Sequence, residues 1–186
     1  KRLTLFVPLL AALLCPFLMS DKKAEDIKHI VFIAGHRSHG PGEHEFYAGC
    51  TLLAKALNEQ SGLNVKATVL RANWPKEDKA IVESADTIVI YADHVSAHGG
   101  QWEFLNELAK QGVGMVFMHY AVHPSKEIGE KYYRPWIGGA MESGWSVNPH
   151  WVADLSIIKD HDIGNGVPEK VICLDEWYYN MRFVED

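Results

Sequence analysis

Histidines and carboxylates that could do chemistry concentrate in a few short segments of this 186-residue chain. Imidazoles and carboxylates gathered at one place suit general acid–base catalysis, in which one group removes a proton and another donates one. They also suit a divalent metal ion. The alternative is that loops simply hold polar residues, including histidines in caps and turns. Eight of the ten histidines belong to these segments: His36, His39, His44, His94, His98, His119, His123 and His150.

The sequence lacks the motifs of several other chemistries. It contains no Gly-x-Ser-x-Gly elbow, no phosphate-binding loop and no Gly-x-Gly-x-x-Gly, which disfavours an elbow-type serine hydrolase and a nucleotide cofactor. It also contains no His-Glu-x-x-His and no Cys-x-x-Cys, so neither a zincin nor a structural zinc site is indicated. Cys50 falls on the apolar face of a predicted helix and Cys173 inside a predicted strand, where a reactive thiol is not expected.

Strands and helices alternate in the part of the chain that must position these residues. Amphipathic segments predict helices over 43–61, 76–84 and 102–111. This alternation is typical of a parallel α/β sheet, in which ligands bind outside the carboxyl ends of the strands. The histidine segments mostly follow predicted strands, so we expect them to share one site. Short apolar, β-branched runs predict the strands: 28–34, 63–70, 87–92 and 113–118, then 151–158 and 170–174.

Two local patterns complete this outline. Residues at helical spacing in the first predicted helix mark the face that we expect to be buried. The segment 119–149 contains several prolines and glycines and is predicted to be irregular. The residues on the expected buried face are Phe46, Cys50, Leu53 and Leu57.

The first twenty residues form a separate segment. Lys1 and Arg2 precede a nearly unbroken apolar run over residues 3–18, which predicts a secretory signal peptide over residues 1–20. The run is short and holds two prolines, which disfavours a membrane span. A retained anchor, or a lipoprotein processed at Cys15, is the alternative. The signal predicts a periplasmic or extracellular protein with no transmembrane span after maturation.

The rest of the chain is expected to be a short linker, residues 21–27, and one domain, residues 28–186. The chain starts without Met and stops soon after an aromatic segment, so the domain could be truncated at its C-terminus, which would leave a sheet edge unpaired. The net charge of −6 comes without a basic stripe and therefore disfavours nucleic-acid binding. Ten histidines and six tryptophans suit a sugar or metal site better than a phosphate site.

Four segments of the chain resemble the ThuA-like family, which is named for trehalose utilisation: residues 33–46, 114–120, 136–139 and 175–179. The resemblance covers nearly all of the domain. It implies an α/β fold of the class I glutamine amidotransferase type, a flavodoxin-like three-layer sandwich with a mostly parallel central sheet. In those amidotransferases a cysteine follows a central strand at a sharp turn. This chain has His119 and Tyr120 at that place, so glutamine hydrolysis is not implied.

The resemblance implies a role in carbohydrate catabolism, on trehalose or a keto-glycoside. We expect a small-molecule carbohydrate as the partner, with a homo-oligomer left open. The expected reaction is isomerisation or related processing of a keto-sugar, in which a base removes the proton beside the carbonyl and a donor stabilises the ene-diolate. The alternative is a non-catalytic sugar-binding or assembly module, because an amidotransferase-like fold that lost its nucleophile need not be an enzyme.

Three residues that follow predicted strands are candidates for the central chemistry. His39 or Glu43 would be the base, and His119 would donate to the oxyanion or bind a metal. A divalent transition metal held by His36, His119 and His150 is one account of the histidines, because neutral imidazoles are good ligands for such ions. In the metal-free alternative the histidines only hydrogen-bond sugar hydroxyls, and one of them acts as a general acid.

Other candidate residues would complete the site. Glu176 could be a second acid–base group, and the alternative for it is a salt bridge with Arg37 or Arg182. Aromatic rings could stack on the apolar face of a sugar, and the alternative for them is packing in the core. The candidates for substrate binding are Arg37, His44, Asp93, Tyr120, Trp145 and Trp177.

The signal peptide generates a first prediction. Exported protein should begin near residue 21 and carry a net charge of −8, because the chain's −6 loses the two positive charges of Lys1 and Arg2. Intact-mass measurement of protein recovered from the periplasm or the medium checks this prediction. Folded, exported protein that keeps residue 1 would refute the signal peptide.

Overall fold

A parallel sheet of four strands forms the centre of this chain in a computed structural model that describes residues 26–60, 62–71, 78–93 and 101–185. The predicted signal peptide and the loop with His94 and His98 lie outside the described residues. The strands of the sheet are β1 (Lys28–Ala34), β2 (Val65–Arg71), β3 (Thr87–Tyr91) and β4 (Gly114–Met118).

The four strands lie in the order β2-β1-β3-β4. β1 is central and pairs in parallel with β2, from Lys28 opposite Val65, and with β3, from Ile30 opposite Thr87. This order is that of flavodoxin-like sheets, in which the chain moves first to one side of β1 and then to the other. The predicted parallel sheet and its four strands are therefore confirmed, with ends that differ by one or two residues.

Helices cover both faces of the sheet, so the fold has the three layers that were predicted. Helix α1 (Phe46–Glu59) packs on one face, against Phe32 and Val89. Helices α2 (Lys79–Glu83) and α3 (Trp102–Lys110) pack on the other. Because both faces are buried, the strands have continuous apolar sequences rather than alternating ones. Each fully buried aliphatic side chain contributes about 1.5–3 kcal/mol relative to its exposed state.

The buried face of α1 differs from the prediction. Leu53 was expected in the core but is 39% exposed, and Ala54 is buried instead. The other buried residues of α1 are Phe46 and Cys50, and Gly49 contacts the side chain of Tyr91 in β3. At Gly49 an added Cβ would lie only 2.9 Å from Cε1 of Tyr91, so this contact requires glycine. The helix also begins at Phe46 rather than Glu43, because residues 40–45 form a loop.

The segment after β4 is helical where an irregular one was predicted. A 3-10 turn (His119–Val122) is followed by α4 (Lys126–Ile128), a π-helical turn (Gly129–Tyr133) and α5 (Arg134–Ile137). Aromatic side chains drive this packing: the Tyr133 ring is fully buried, with its centroid 4.3 Å from that of Phe117. The prolines and glycines of this segment led to the prediction of an irregular structure. Pro135 does not interrupt a helix here, because it lies in the first turn of α5, where proline is tolerated.

Strands outside the main sheet form two small antiparallel pairs. β5 (Gly139–Ala140) pairs with β8 (Arg182–Phe183), and β6 (His150–Ser156) pairs with β7 (Lys170–Glu176). A 3-10 turn (Asp162–Gly164) lies between β6 and β7. Both later strands were predicted, but not that they pair with each other. Among the described residues, no helix has both the length and the apolar character needed to cross a membrane.

The core position of Cys50 generates a second prediction. Its side chain is fully buried, and burial raises the pKa of its thiol to about 11. We expect Cys50 in folded protein to react with a thiol reagent far more slowly than Cys173, which is only partly buried. Cys50→Ala should lower the free energy of unfolding by about 1–2 kcal/mol, because it removes core packing.

Peptide mapping after a timed reaction at neutral pH, together with urea denaturation, measures both effects. Cys173→Ala is the matched control and should cost less stability. Rapid modification of Cys50 in the folded state, or a thousandfold loss of activity in folded Cys50→Ala, would contradict this assignment.

Candidate functional site

Side chains from several strand ends meet at the carboxyl edge of the main sheet. His44 lies in the loop between β1 and α1, His119 directly follows β4, and Glu176 is the last residue of β7. Asp93 follows β3 by two residues, and its charge acts on His44. From β1 the chain crosses first to β2 on one side and then to β3 on the other, so the connections change side between β1 and β3. In flavodoxin-like folds, ligands bind in the crevice at such a switch point.

His119 has a left-handed backbone, with a φ angle of 50°. β4 ends at Met118 and the 3-10 turn begins at His119, so the chain turns sharply at this residue. A left-handed conformation costs about 1–2 kcal/mol for a residue with a Cβ, and such strained residues cluster at functional sites. The sharp turn lies where the resemblance placed one, with a histidine where amidotransferases have their cysteine. His39 is also left-handed, with a φ of 68°.

The imidazoles of His44 and His119, the histidine pair, contact each other through their edges. Their Nε2 atoms are 3.2 Å apart and their ring planes lie at 79°. One Nε2 must therefore carry a hydrogen and the other a lone pair. Nε2 of His119 also lies 3.4 Å from Oε2 of Glu176, and these two side chains are only 27% and 17% exposed. Partial burial strengthens an electrostatic contact of this kind.

A hydroxyl group holds the outer nitrogen of each ring in the histidine pair. The hydroxyl of Tyr178 lies 3.1 Å from Nδ1 of His119, and Oγ of Ser38 lies 3.2 Å from Nδ1 of His44. Sequence reasoning did not select Tyr178 or Ser38. Both fall in segments that carry the family resemblance, but nothing in their local pattern shows that they contact the histidines.

The carboxylate of Glu176 is held from its other side. The side-chain amide of Asn148 donates a hydrogen bond to Oε1 of Glu176. His150 stands directly opposite Glu176 in the β6–β7 pair, and is exposed. Arg182, one alternative salt-bridge partner for Glu176, instead donates from Nε to Glu142 at 2.9 Å. Glu176 therefore faces His119 and an amide rather than an arginine.

The partly buried site changes the acidity of its groups. Burial, and then the neighbouring His39 and His119, lower the pKa of His44, which keeps its ring neutral near pH 7. Burial raises the pKa of Tyr120 and of Tyr178, and nearby carboxylates add to this effect. Both tyrosines therefore keep their hydroxyl hydrogens at neutral pH.

Two cavities lie near the histidine pair, and His44 lines one of them. One of about 330 Å³ is lined in part by Tyr120, His123 and Asn148. The other, of about 300 Å³, is lined in part by His36, Arg37 and His44. Both lie at the lower end of the usual range for small-molecule sites, about 300–1,000 Å³. The Tyr120 ring lies 5.5 Å from that of His44 and stacks on His123 at 4.3 Å, so it forms a wall between the pair and the first cavity.

The loop after β1 separates its candidate residues. The His39 ring lies 4.0 Å from that of His44, but the residue is exposed. The carboxylate of Glu43 is also exposed and accepts a hydrogen bond from the backbone N–H of Gly40 at 2.7 Å, so it closes its own loop. Arg37, the other alternative partner for Glu176, lies 3.7 Å from Glu45. Of the two candidate bases, His39 adjoins the histidine pair, while Glu43 is engaged within the loop.

The two tryptophans expected to stack on a sugar contact other protein groups. Trp145 is 50% exposed, and the guanidinium of Arg182 lies 3.9 Å from its ring centre. The indole N–H of Trp177 donates to the carbonyl of Trp151 at 2.9 Å, and the two rings are 5.8 Å apart. Neither tryptophan is among the residues that line the two cavities. Both tryptophans therefore pack on other protein groups outside the core, which also departs from the alternative of core packing.

The predicted metal ligands do not form a metal site in this structure. Within the described ranges, no group of three or more His, Cys, Asp or Glu side chains is arranged to hold a metal ion. His36 is exposed and lines the smaller cavity, His119 lies in the histidine pair, and His150 is exposed on β6. Sequence reasoning grouped these residues because each adjoins a strand, which does not fix the direction of a side chain.

No family model matches the chain, and no curated protein matches its sequence significantly. A solved structure does match: a ThuA-like protein from Bacteroides uniformis, with a TM-score of 0.58 and 16% sequence identity. The match covers 82% of this chain and 60% of that one, so the chain spans well under two thirds of the solved protein. The fold that the resemblance implied is thus confirmed, and this chain has the fold of a ThuA-like protein.

Proposed function

We propose that this protein processes a carbonyl-bearing sugar, such as a keto-glycoside, by acid–base chemistry of its own His and Glu side chains. The observation that carries the proposal is the 3.4 Å contact between Nε2 of His119 and Oε2 of Glu176. Asn148, which donates a hydrogen bond to Glu176, lines a cavity of about 330 Å³. An acceptor and a donor at one point are what proton transfer beside a carbonyl requires. The resemblance to the ThuA-like family supports a sugar as the substrate.

Glu176 is the base in this proposal, in place of Glu43. Its carboxylate removes the proton from the carbon beside the carbonyl, and the electron pair of that C–H bond forms a carbon–carbon double bond. The carbonyl π electrons move to the oxygen, which gives an ene-diolate. Glu176 then returns the proton to the former carbonyl carbon, while the hydroxyl hydrogen on the original carbon moves to the former carbonyl oxygen, and this gives the isomer. The carboxylate ends each cycle deprotonated.

His119 stabilises the ene-diolate oxygen by a hydrogen bond from its Nε2–H. A neutral imidazole can serve this purpose, because the hydrogen bond needs no full proton transfer. Its strained backbone and the Tyr178 hydroxyl hold the ring in place before the substrate arrives. Such preorganisation is effective because no reorganisation is needed when the charge develops.

The larger cavity offers groups that suit the hydroxyls of a sugar. Tyr120, His123 and Asn148 line it, together with Ser143 and Ser146. These side chains donate and accept hydrogen bonds, and the aromatic rings provide apolar surface. The apolar run in residues 1–20 supports a periplasmic or extracellular place for this activity.

The proposed base gives a third prediction. Wild-type protein in D₂O should exchange the proton beside the carbonyl of 3-keto-trehalose or a related keto-glycoside, as followed by NMR. Glu176→Gln should slow this exchange about 10²–10⁴-fold, the usual contribution of a positioned base. Glu43→Gln is the matched control, and should exchange at nearly the wild-type rate because Glu43 only closes its loop.

Three outcomes would contradict the proposal in different ways. A loss of exchange in Glu43→Gln alone would show that the base is Glu43, in the loop after β1, and not Glu176. A loss of wild-type exchange in EDTA that added metal restores would make a metal ion the stabilising group. Binding of keto-glycosides with no exchange and no product would favour a sugar-binding module without turnover.

A further inference from the structure

Five side chains form a continuous row of hydrogen-bonding atoms across the site. The row runs from the hydroxyl of Tyr178 to Nδ1 of His119, at 3.1 Å, and from Nε2 of His119 to Nε2 of His44, at 3.2 Å. It continues from Nδ1 of His44 to Oγ of Ser38, at 3.2 Å, and from Ser38 to Nδ1 of His39, at 2.9 Å. All four contacts are within hydrogen-bond distance, so each must have a donor and an acceptor.

One carboxylate favours a single direction for the contacts of the histidine pair. Oε2 of Glu176 lies 3.4 Å from Nε2 of His119, and an ionised carboxylate only accepts hydrogen bonds. A hydrogen on Nε2 of His119, directed at Nε2 of His44, is favoured because a lone pair there would lie close to the negative oxygen. In a neutral ring this leaves Nδ1 of His119 as an acceptor, and the partner that can donate to it is the hydroxyl of Tyr178.

The state of His44 then follows. Nε2 of His44 accepts from His119, so Nδ1 of His44 carries the hydrogen and donates to Oγ of Ser38. The contact between Ser38 and His39 can run in either direction, because a hydroxyl oxygen has two lone pairs and can accept from both rings. Reversing the row would put the lone pair of His119 against Glu176, so the two directions are not equivalent.

We propose that Tyr178 and Ser38 are positioning residues that, together with Glu176, hold the histidine pair in one tautomeric state. In that state His119 presents Nε2–H and His44 presents a lone pair on Nε2. For catalysis this inference rests on the proposed function, in which the ene-diolate oxygen shares with Nε2 of His44 the hydrogen on Nε2 of His119. The tautomeric state itself belongs to the resting protein and can be measured without a substrate.

The electrostatics of the site agree with this arrangement. Burial raises the pKa of Tyr178, so its hydroxyl keeps the hydrogen that it donates. Burial and the two neighbouring histidines lower the pKa of His44, so its Nε2 keeps a free lone pair near pH 7. The other charged groups that act on His44, the carboxylates of Asp93 and Glu176, oppose this lowering but do not reverse it.

The test is an ¹⁵N NMR measurement of the imidazole nitrogens in protein labelled at histidine, near pH 7 and without substrate. We expect the Nε2–H tautomer for His119 and the Nδ1–H tautomer for His44. Glu176→Gln should shift His119 towards a mixture of tautomers, because an amide can also donate. Tyr178→Phe should move the Nδ1 resonance of His119, since it removes the donor but keeps the ring. Tyr179→Phe is the matched control at an exposed neighbour and should change neither histidine.

Activity provides the second readout. Tyr178→Phe should slow the exchange of a keto-glycoside about tenfold, the equivalent of one lost hydrogen bond. A His44 that carries its hydrogen on Nε2, or a His119 unchanged in Tyr178→Phe, would overturn the inference even if the protein is active. The expected tautomers with no activity on any keto-glycoside would instead support the row and contradict the proposed function.

Discussion

The contact between His119 and Glu176 is the interaction on which the rest of the site depends. An acceptor-only carboxylate close to one ring nitrogen favours a hydrogen on that nitrogen, and the hydrogen bonds from Tyr178 to His119 and from His44 to Ser38 then follow. The same contact brings the proposed base and the proposed donor together. The backbone of His119 is strained at this position, because it is left-handed with a φ of 50°. A glycine there would relieve that strain but would remove the imidazole, so strain and chemistry are linked at this residue.

The fold supplies the two halves of this contact by separate means. β4 carries His119 to the carboxyl edge of the parallel sheet, where the loops after β1 and β3 also end. Glu176 comes from the β6–β7 pair, whose register sets His150 opposite Glu176. A slip of one residue in that register would turn Glu176 to the opposite face of the hairpin. The position of the base therefore depends on an element that is not part of the main sheet.

The sequence was sufficient to predict the parallel sheet and the edge at which the polar residues gather, because strands buried on both faces appear as continuous apolar runs. The three layers were implied by the family resemblance. The sequence was not sufficient to choose between Glu43 and Glu176. Glu43 begins a predicted helix and Glu176 follows a predicted strand, so the sequence places each near a strand end. Only the tertiary fold shows that Glu43 accepts a hydrogen bond from Gly40 while Glu176 faces His119. Leu53 was misplaced for a similar reason, since apolar spacing fits both Leu53 and Ala54 and only the tertiary packing shows that Ala54 is the buried one.

The most direct test of the account is a double-mutant cycle on proton exchange of a keto-glycoside. The cycle compares wild type with Glu176→Gln, His119→Gln and the double variant, with folding checked by circular dichroism. If the two residues act on the same transition state as one unit, the double variant should be about as slow as the slower single variant. Losses that simply multiply in the double variant would show that the two residues act independently and would contradict the account.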